Sequence, residues 1–133
     1  VFLFGAFISF ATGSSWGGWS IMMPIAFPMA VAFNLPMAYV VGSVIAGGMF
    51  GDQCSPISDT TVLSSTGGSC NHIVHVMTQL PYGLTVGASA FIGFLFGGLT
   101  GQYMISIAVT AVVLYAAMFV MTKVDSARTV KAA

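Results

Sequence analysis

Apolar residues run almost without interruption through most of the chain, and the places where they stop divide it into elements. A membrane-spanning helix needs about 20 mostly apolar residues. Gln102–Thr122, rich in Ile, Val, Ala and Met and closed by Lys123, meets that length. Leu80–Leu99 is a second span, with Gly97-Gly98-Leu99-Thr100-Gly101 as the turn between them. Residues 80–99 and 102–122 therefore predict an antiparallel hairpin of transmembrane helices. The first half has a different rhythm. Val1–Ala11 is too short to cross a bilayer, Thr12–Ser20 is small and polar, and Ile21–Phe33 is again short and interrupted by Pro24 and Pro28. Two apolar arms about a Gly/Ser tip predict a re-entrant hairpin over residues 1–33. Such a hairpin is tolerated at membrane depth only where protein or water covers its backbone.

Asn34-Leu35-Pro36 then reads as a turn. Met37–Gly51 has the character of a short helix, and it stops at Gly51-Asp52-Gln53-Cys54-Ser55-Pro56. Ile57–Ser65 looks like a new helix start. Residues 37–65 are thus expected to be one crossing broken in its middle, and Thr66–Gln79 to be the connection to the next span. No internal repeat is visible. Many transporters are built from two inverted repeats, and this chain would be one half of such a protein.

Composition narrows the class. Of 133 residues, 57% are hydrophobic and 5% are charged, against about 25% charged in a typical soluble domain. Six charges cannot cover a water-exposed surface, so an all-α membrane protein in contact with lipid is expected. Placement says more than the net charge of zero. Val1–Gly51 and Val76–Thr122 contain no Asp, Glu, Lys, Arg or His. Lys123, Arg128 and Lys131 all lie in the basic tail 123–133, which predicts a cytoplasmic C-terminus by the excess of Lys and Arg on that side. The N-terminus opens inside an apolar run with neither Met nor a basic region. That argues against a signal peptide and predicts that further helices precede Val1. Cys54 and Cys70 have no CxxC spacing, so no disulfide framework is indicated.

The polar island around Pro56 carries the candidate chemistry. An Asp at the centre of a membrane helix costs about 2.5–3.5 kcal/mol on insertion scales, so intramembrane acids are rare and usually functional. Asp52 and Asp59 lie seven residues apart, among Ser55, Ser58, Thr60 and Thr61, with no Lys or Arg nearby in sequence. A small cation is the natural missing partner. Pro56 lacks an N–H and disturbs the preceding turn, which frees backbone carbonyls beside the acids. Carbonyls of unwound helix coordinate Na+ in broken-helix transporters. Burial disfavours the charged form of a carboxylate, so a buried one can hold a proton or a metal ion in turn. Simpler roles stand beside this reading. Asp59 could cap the helix that follows, and Asp52 could lie at the water interface. Thr12, Ser14 and Ser15 could close the site from the hairpin tip, or only relieve a tight turn. Trp16 and Trp19 read as interfacial anchors. Cys70, His72 and His75 imitate a metal set weakly. His75 is a candidate for pH sensing, and His72 reads as an ordinary polar residue of the connection. The methionines read as packing. An intramembrane aspartyl protease would place its Asp in Gly-x-Gly-Asp. Gly48-Met49-Phe50-Gly51-Asp52 displaces the first Gly, so no enzymatic activity is expected.

Gly51-Asp52-Gln53-Cys54-Ser55-Pro56-Ile57-Ser58-Asp59-Thr60-Thr61-Val62-Leu63-Ser64-Ser65 closely resembles the signature stretch of the NhaC-type sodium/proton antiporter family. Phe10-Ala11-Thr12-Gly13-Ser14-Ser15-Trp16-Gly17 resembles that family's upstream segment, and His75-Val76-Met77-Thr78-Gln79-Leu80-Pro81-Tyr82 its downstream segment. Gln53 departs from the pattern, where many members have His. The resemblance implies a secondary antiporter of the ion-transporter superfamily. Residues 1–133 would be the C-terminal part of its transmembrane domain, facing a missing N-terminal repeat across a pseudo-twofold axis. Na+ and H+ would be the transported ions, alternating at Asp52 and Asp59, with Na+ bound at both. No cofactor and no nucleic-acid partner are expected, and a homodimer is compatible with the reading. The family also contains exchangers that move malate or lactate with Na+ and H+. A small non-transporting membrane subunit is a further alternative, from a different class.

Overall fold

The structure, a computed structural model, describes the backbone of residues 1–132 and their side chains except at Tyr103 and 124–132. The described residues are helical, without strands: α1 (Phe2–Thr12), α2 (Ser15–Ala32), α3 (Met37–Cys54), α4 (Asp59–Gly67), α5 (His72–Thr100) and α6 (Tyr103–Ala132). Two of them are long and apolar enough to cross a membrane, over His72–Thr100 and Met104–Lys123. The predicted tail 123–133 begins inside α6, and the side chains of Arg128 and Lys131 lie outside the described residues.

The chain divides into two compact units, Val1–Gly87 and Ala88–Ala133. In the first, α1 and α3 run parallel with a constant offset. Gly47 lies against the Phe2 carbonyl, Gly51 against the Ala6 carbonyl, and Ser55 donates to the Phe10 carbonyl at 2.8 Å. Each step advances both helices by four residues, which keeps one face of each in contact. A Cβ at Gly47 or Gly51 would run into those carbonyls. Small residues four apart let membrane helices approach this closely. Helix α2 returns antiparallel and seals the core with Met22, Ala26 and Ala30 against Val40 and Val44. Farther along, one face of α5 lies on α3. Gln79 reaches Gln53, Gly83 faces Cys54 and Gly87 faces the Phe50 ring. In the second unit, Gly93 of α5 takes Thr110 of α6 into the space where a Cβ would be, and the Ser106 hydroxyl donates to the Gly93 carbonyl at 2.7 Å.

Small polar side chains share the interior with the apolar core, and many large apolar ones face outward. The buried side chains include Ser9, Ser43, Asp52, Ser55, Ser58, Thr61, Ser65, Ser89 and Ser106, whereas Phe4, Phe7, Leu63, Leu99 and Val112 are each more than two thirds exposed. Large apolar side chains facing outward fit a lipid environment and not water.

Three boundaries differ from the sequence reading. The turn after α1 is only Gly13–Ser14, and Ser15–Ser20 is already helical. Gly13 makes so short a turn possible. It takes φ +67°, and a Cβ there would lie 2.6 Å from the Ile57 carbonyl oxygen. Helix α2 then continues through Pro24 and Pro28, because a membrane helix can lose single backbone bonds that neighbouring groups compensate. Most of the expected connection 66–79 is the start of α5. Asn71 Oδ1 accepts the N–H groups of Ile73 at 3.0 Å and Val74 at 3.3 Å, an N-terminal cap of the usual Asn kind.

Candidate ion-binding site

The break in the α3–α4 segment falls at Ser55–Ser58, around Pro56. Asp52, in the last turn of α3, is 4% exposed, so its side chain is inside the protein. Ser58 donates to Asp52 Oδ1 at 2.7 Å, and Thr60 donates to Oδ2 at 3.3 Å. The two hydroxyls also touch each other at 2.7 Å. A carboxylate offers about four lone-pair positions, so two hydroxyls leave acceptor capacity free on a buried charge. The chain contains no Lys or Arg before Lys123 to fill it.

Asp59 is placed differently. It is exposed and is the first residue of α4, whose cap is Ser58, with the Ser58 oxygen accepting the Thr61 N–H. The capping role considered for Asp59 thus belongs to its neighbour. The Asp59 carboxylate accepts the Thr60 N–H at 2.8 Å. Thr60 therefore joins the two acids, its amide on Asp59 and its hydroxyl on Asp52. Thr61 is 3% exposed, and its Oγ1 has no hydrogen-bond partner. Ser55 is also buried, but its hydroxyl holds α1.

Carbonyls at the break carry protein donors, among them that of Ser55, which takes the Ser58 N–H at 3.3 Å. The Asp52 carbonyl takes the Ser55 N–H at 3.0 Å, the Gln53 carbonyl takes Gln79 Nε2 at 2.6 Å and the Pro56 carbonyl takes His72 Nε2 at 2.7 Å. The oxygens that bond the Asp52 carboxylate are the Ser58 and Thr60 hydroxyls, and these carbonyls anchor the break. The hairpin tip reaches the break through its backbone, where the Gly13 carbonyl accepts the Asp59 N–H at 3.3 Å. Thr12 places its hydroxyl on the Ile8 carbonyl at 2.9 Å. Ser14 and Ser15 stand at the start of α2, with no side-chain cap from Ser14. His75 is partly buried one turn into α5. Trp16 is 74% exposed, while Trp19 turns inward and donates to the Ile45 carbonyl at 3.3 Å.

Two residues that the sequence reading passed over hold the break in place. His72 spans from Pro56 to Ser65, whose Oγ lies 3.0 Å from Nδ1. Because the Pro56 carbonyl can only accept, Nε2 is the protonated nitrogen. Gln79 ties α5 to the last turn of α3. Gln79 lies in the downstream motif that carried the resemblance, and His72 in the polar stretch just before it, which were the available signals. Among the described residues no three His, Cys, Asp or Glu side chains gather as a metal-holding group.

A buried acid on a broken helix, held by two hydroxyls in a chain with no Lys or Arg before Lys123, agrees with the comparison to known sequences. A family profile described as the Na+/H+ antiporter family matches residues 1–99. The chain belongs to the Na+/H+ antiporter family. An uncharacterised Haemophilus influenzae protein is 47% identical over 92% of the chain and 24% of its own length. The malate-2H+/Na+-lactate antiporter of Bacillus subtilis is 32% identical over 68% of the chain and 20% of its own length. The Na+/H+ antiporter NhaC of the same organism is 37% identical over 56% of the chain and 17% of its own length. The chain thus spans about a quarter or less of these relatives. No solved structure matches it. As a member of this family the chain is part of an integral membrane protein.

Proposed function

We propose that the protein exchanges Na+ for H+ across the membrane and that Asp52 is the carboxylate that binds them in turn. The observation that carries this reading is the buried Asp52 side chain, held by Ser58 and Thr60 in a chain with no Lys or Arg before Lys123. A desolvated carboxylate without a fixed counter-charge gains from either cation, and one site that accepts both couples their movements. Thr60 and Thr61 supply further oxygens, and Ser55 and Pro56 keep the helix open. Asp59 is the second acid, linked through Thr60 and placed to receive the ion from the exposed side. Residues 1–33 act as a re-entrant hairpin whose tip, with Thr12, Ser14 and Ser15, abuts the break. The whole unit is one half of an inverted-repeat transporter. The C-terminus is cytoplasmic.

Asp52→Asn keeps the acceptor oxygen for Ser58 and removes the charge. In inverted vesicles carrying the full-length protein, followed with a pH dye, it is expected to cut Na+-dependent proton movement by at least about 100-fold, the scale of one buried charge interaction. Asp59→Asn should also reduce exchange, by a smaller factor because that carboxylate is exposed. Parental exchange by Asp52→Asn would exclude Asp52 as the ion site.

The similarity to the malate-2H+/Na+-lactate antiporter favours a second reading, in which an organic acid moves with the ions. Labelled malate in the same vesicles separates the two. Uptake driven by a Na+ gradient selects the second reading, and Na+/H+ exchange without malate uptake selects the first.

A further inference from the structure

Many helical serines and threonines among the described residues place their hydroxyl on a carbonyl of their own helix, as Thr12, Ser20, Ser43, Thr78 and Thr110 do. This is the ordinary way to satisfy a hydroxyl inside a helix. Ser9 does not. It is 0% exposed, and its Oγ has no hydrogen-bond partner. The hydroxyl points away from α1 into a slot walled by two glycines. A Cβ on Gly18 of α2 would occupy the place of the oxygen, and a Cβ on Gly48 of α3 would lie 3.3 Å from it. Trp19, beside Gly48, already gives its N–H to the Ile45 carbonyl.

Gly48 and Asp52 are four residues apart on α3, so they share one face one turn apart. The Cα–Cβ bond at Asp52 leans back toward the turn that holds Gly48. The other buried hydroxyl without a partner, Thr61 Oγ1, belongs to the α4 turn whose cap, Ser58, donates to Asp52. Ser9 thus faces the α3 turn before Asp52, and Thr61 follows the serine that holds its carboxylate. A buried hydroxyl without a partner is costly, and a cation beside these oxygens would engage their free lone pairs.

We propose that Ser9 is a ligand of the transported Na+, forming one wall of the site with its hydroxyl oxygen while Thr61 forms another. The assignment rests on Asp52 being the ion-binding carboxylate. Gly18 and Gly48 serve it by keeping the slot open for the Ser9 oxygen.

The test uses the full-length protein purified and reconstituted in proteoliposomes, with Na+ as the probe. Ser9→Ala removes the oxygen and leaves no orphaned group behind, so its Tm in Na+-free buffer is expected to equal or exceed that of the parent. Its Na+ concentration for half-maximal exchange should rise about tenfold, the scale of one hydroxyl interaction with a charge. The rise in Tm that Na+ produces by binding the folded state should shrink in parallel, a readout independent of transport. Ser9→Cys keeps the size of the side chain and replaces a hard oxygen by a soft sulfur, which suits Na+ poorly. It should weaken Na+ dependence as well. Parental Na+ dependence in Ser9→Cys would mean that size and not oxygen matters, and would overturn the assignment, as would a parental Na+-induced Tm rise in Ser9→Ala. If Asp52→Asn abolishes exchange while Ser9→Ala keeps parental Na+ dependence, the Ser9 role alone falls. If Asp52→Asn exchanges normally, the Asp52 site falls and Ser9 falls with it.

Discussion

His72 makes two side-chain contacts that no helix supplies, one to the Pro56 carbonyl and one to the Ser65 hydroxyl. The first satisfies a carbonyl at the break, and the second ties the end of α4 to the start of α5. His72→Ala leaves the Pro56 carbonyl without its donor. The bond is exposed, so the expected cost is about 0.5–1.5 kcal/mol, read as a lower Tm of the purified full-length protein. His72→Gln retains an amide donor and should recover part of the loss. A His72→Ala protein as stable as the parent would show that the ring merely lies beside the break. The sequence alone presented His72 as one polar residue among several in a connection. Its partner Pro56 is sixteen positions away, and no local periodicity reports a contact of that span. Asp52 was more legible. A carboxylate in an apolar chain is costly wherever it sits, so its identity pointed to a role before its burial and its two hydroxyl partners were known.

At the scale of elements, the contact between α1 and α3 depends on Gly47 and Gly51, four residues apart. A methyl group at either position would meet a backbone carbonyl of α1, which cannot move aside as a flexible side chain can. Gly51→Ala is therefore expected to destabilise the protein by about 1–3 kcal/mol or more and to shift α1 away from the break that it supports through Phe10 and Gly13. Gly42, on the same helix, has nothing within 4 Å of the added group. Gly42→Ala should be neutral or stabilising by up to about 1 kcal/mol. Equal Tm values for the two variants would refute the close approach. The broken helix was legible because Pro56 and its polar neighbours interrupt an apolar run, a local signal. The beginning of α2 was not, because Gly17, Gly18 and Ser20 have weak helix propensity. Their helix is held by tertiary contacts instead, with Gly18 over Ser9 and Trp19 on Ile45. The beginning of α5 was hidden for the opposite reason. Asn71 caps it well, but polar residues around a cap look like a loop when apolar pattern is the guide.

At the scale of the molecule, the exposed large apolar side chains fit a lipid environment, and the last unit bears on orientation. Met104–Lys123 is 20 residues long, about 30 Å at 1.5 Å per residue, which matches the hydrocarbon thickness of a bilayer. Its two ends therefore face opposite sides. The turn at Gly101, where φ is +67°, marks one side, and Lys123 the other. All the Lys and Arg residues of the chain lie at or after Lys123, so the positive-inside tendency acts at that end alone. An alkaline phosphatase reporter fused to the full-length protein after Gly101 should be active, since it would be exported. The same reporter placed after Ala133 should be inactive, and a green fluorescent reporter there should fluoresce. The reversed pattern would place the basic end outside.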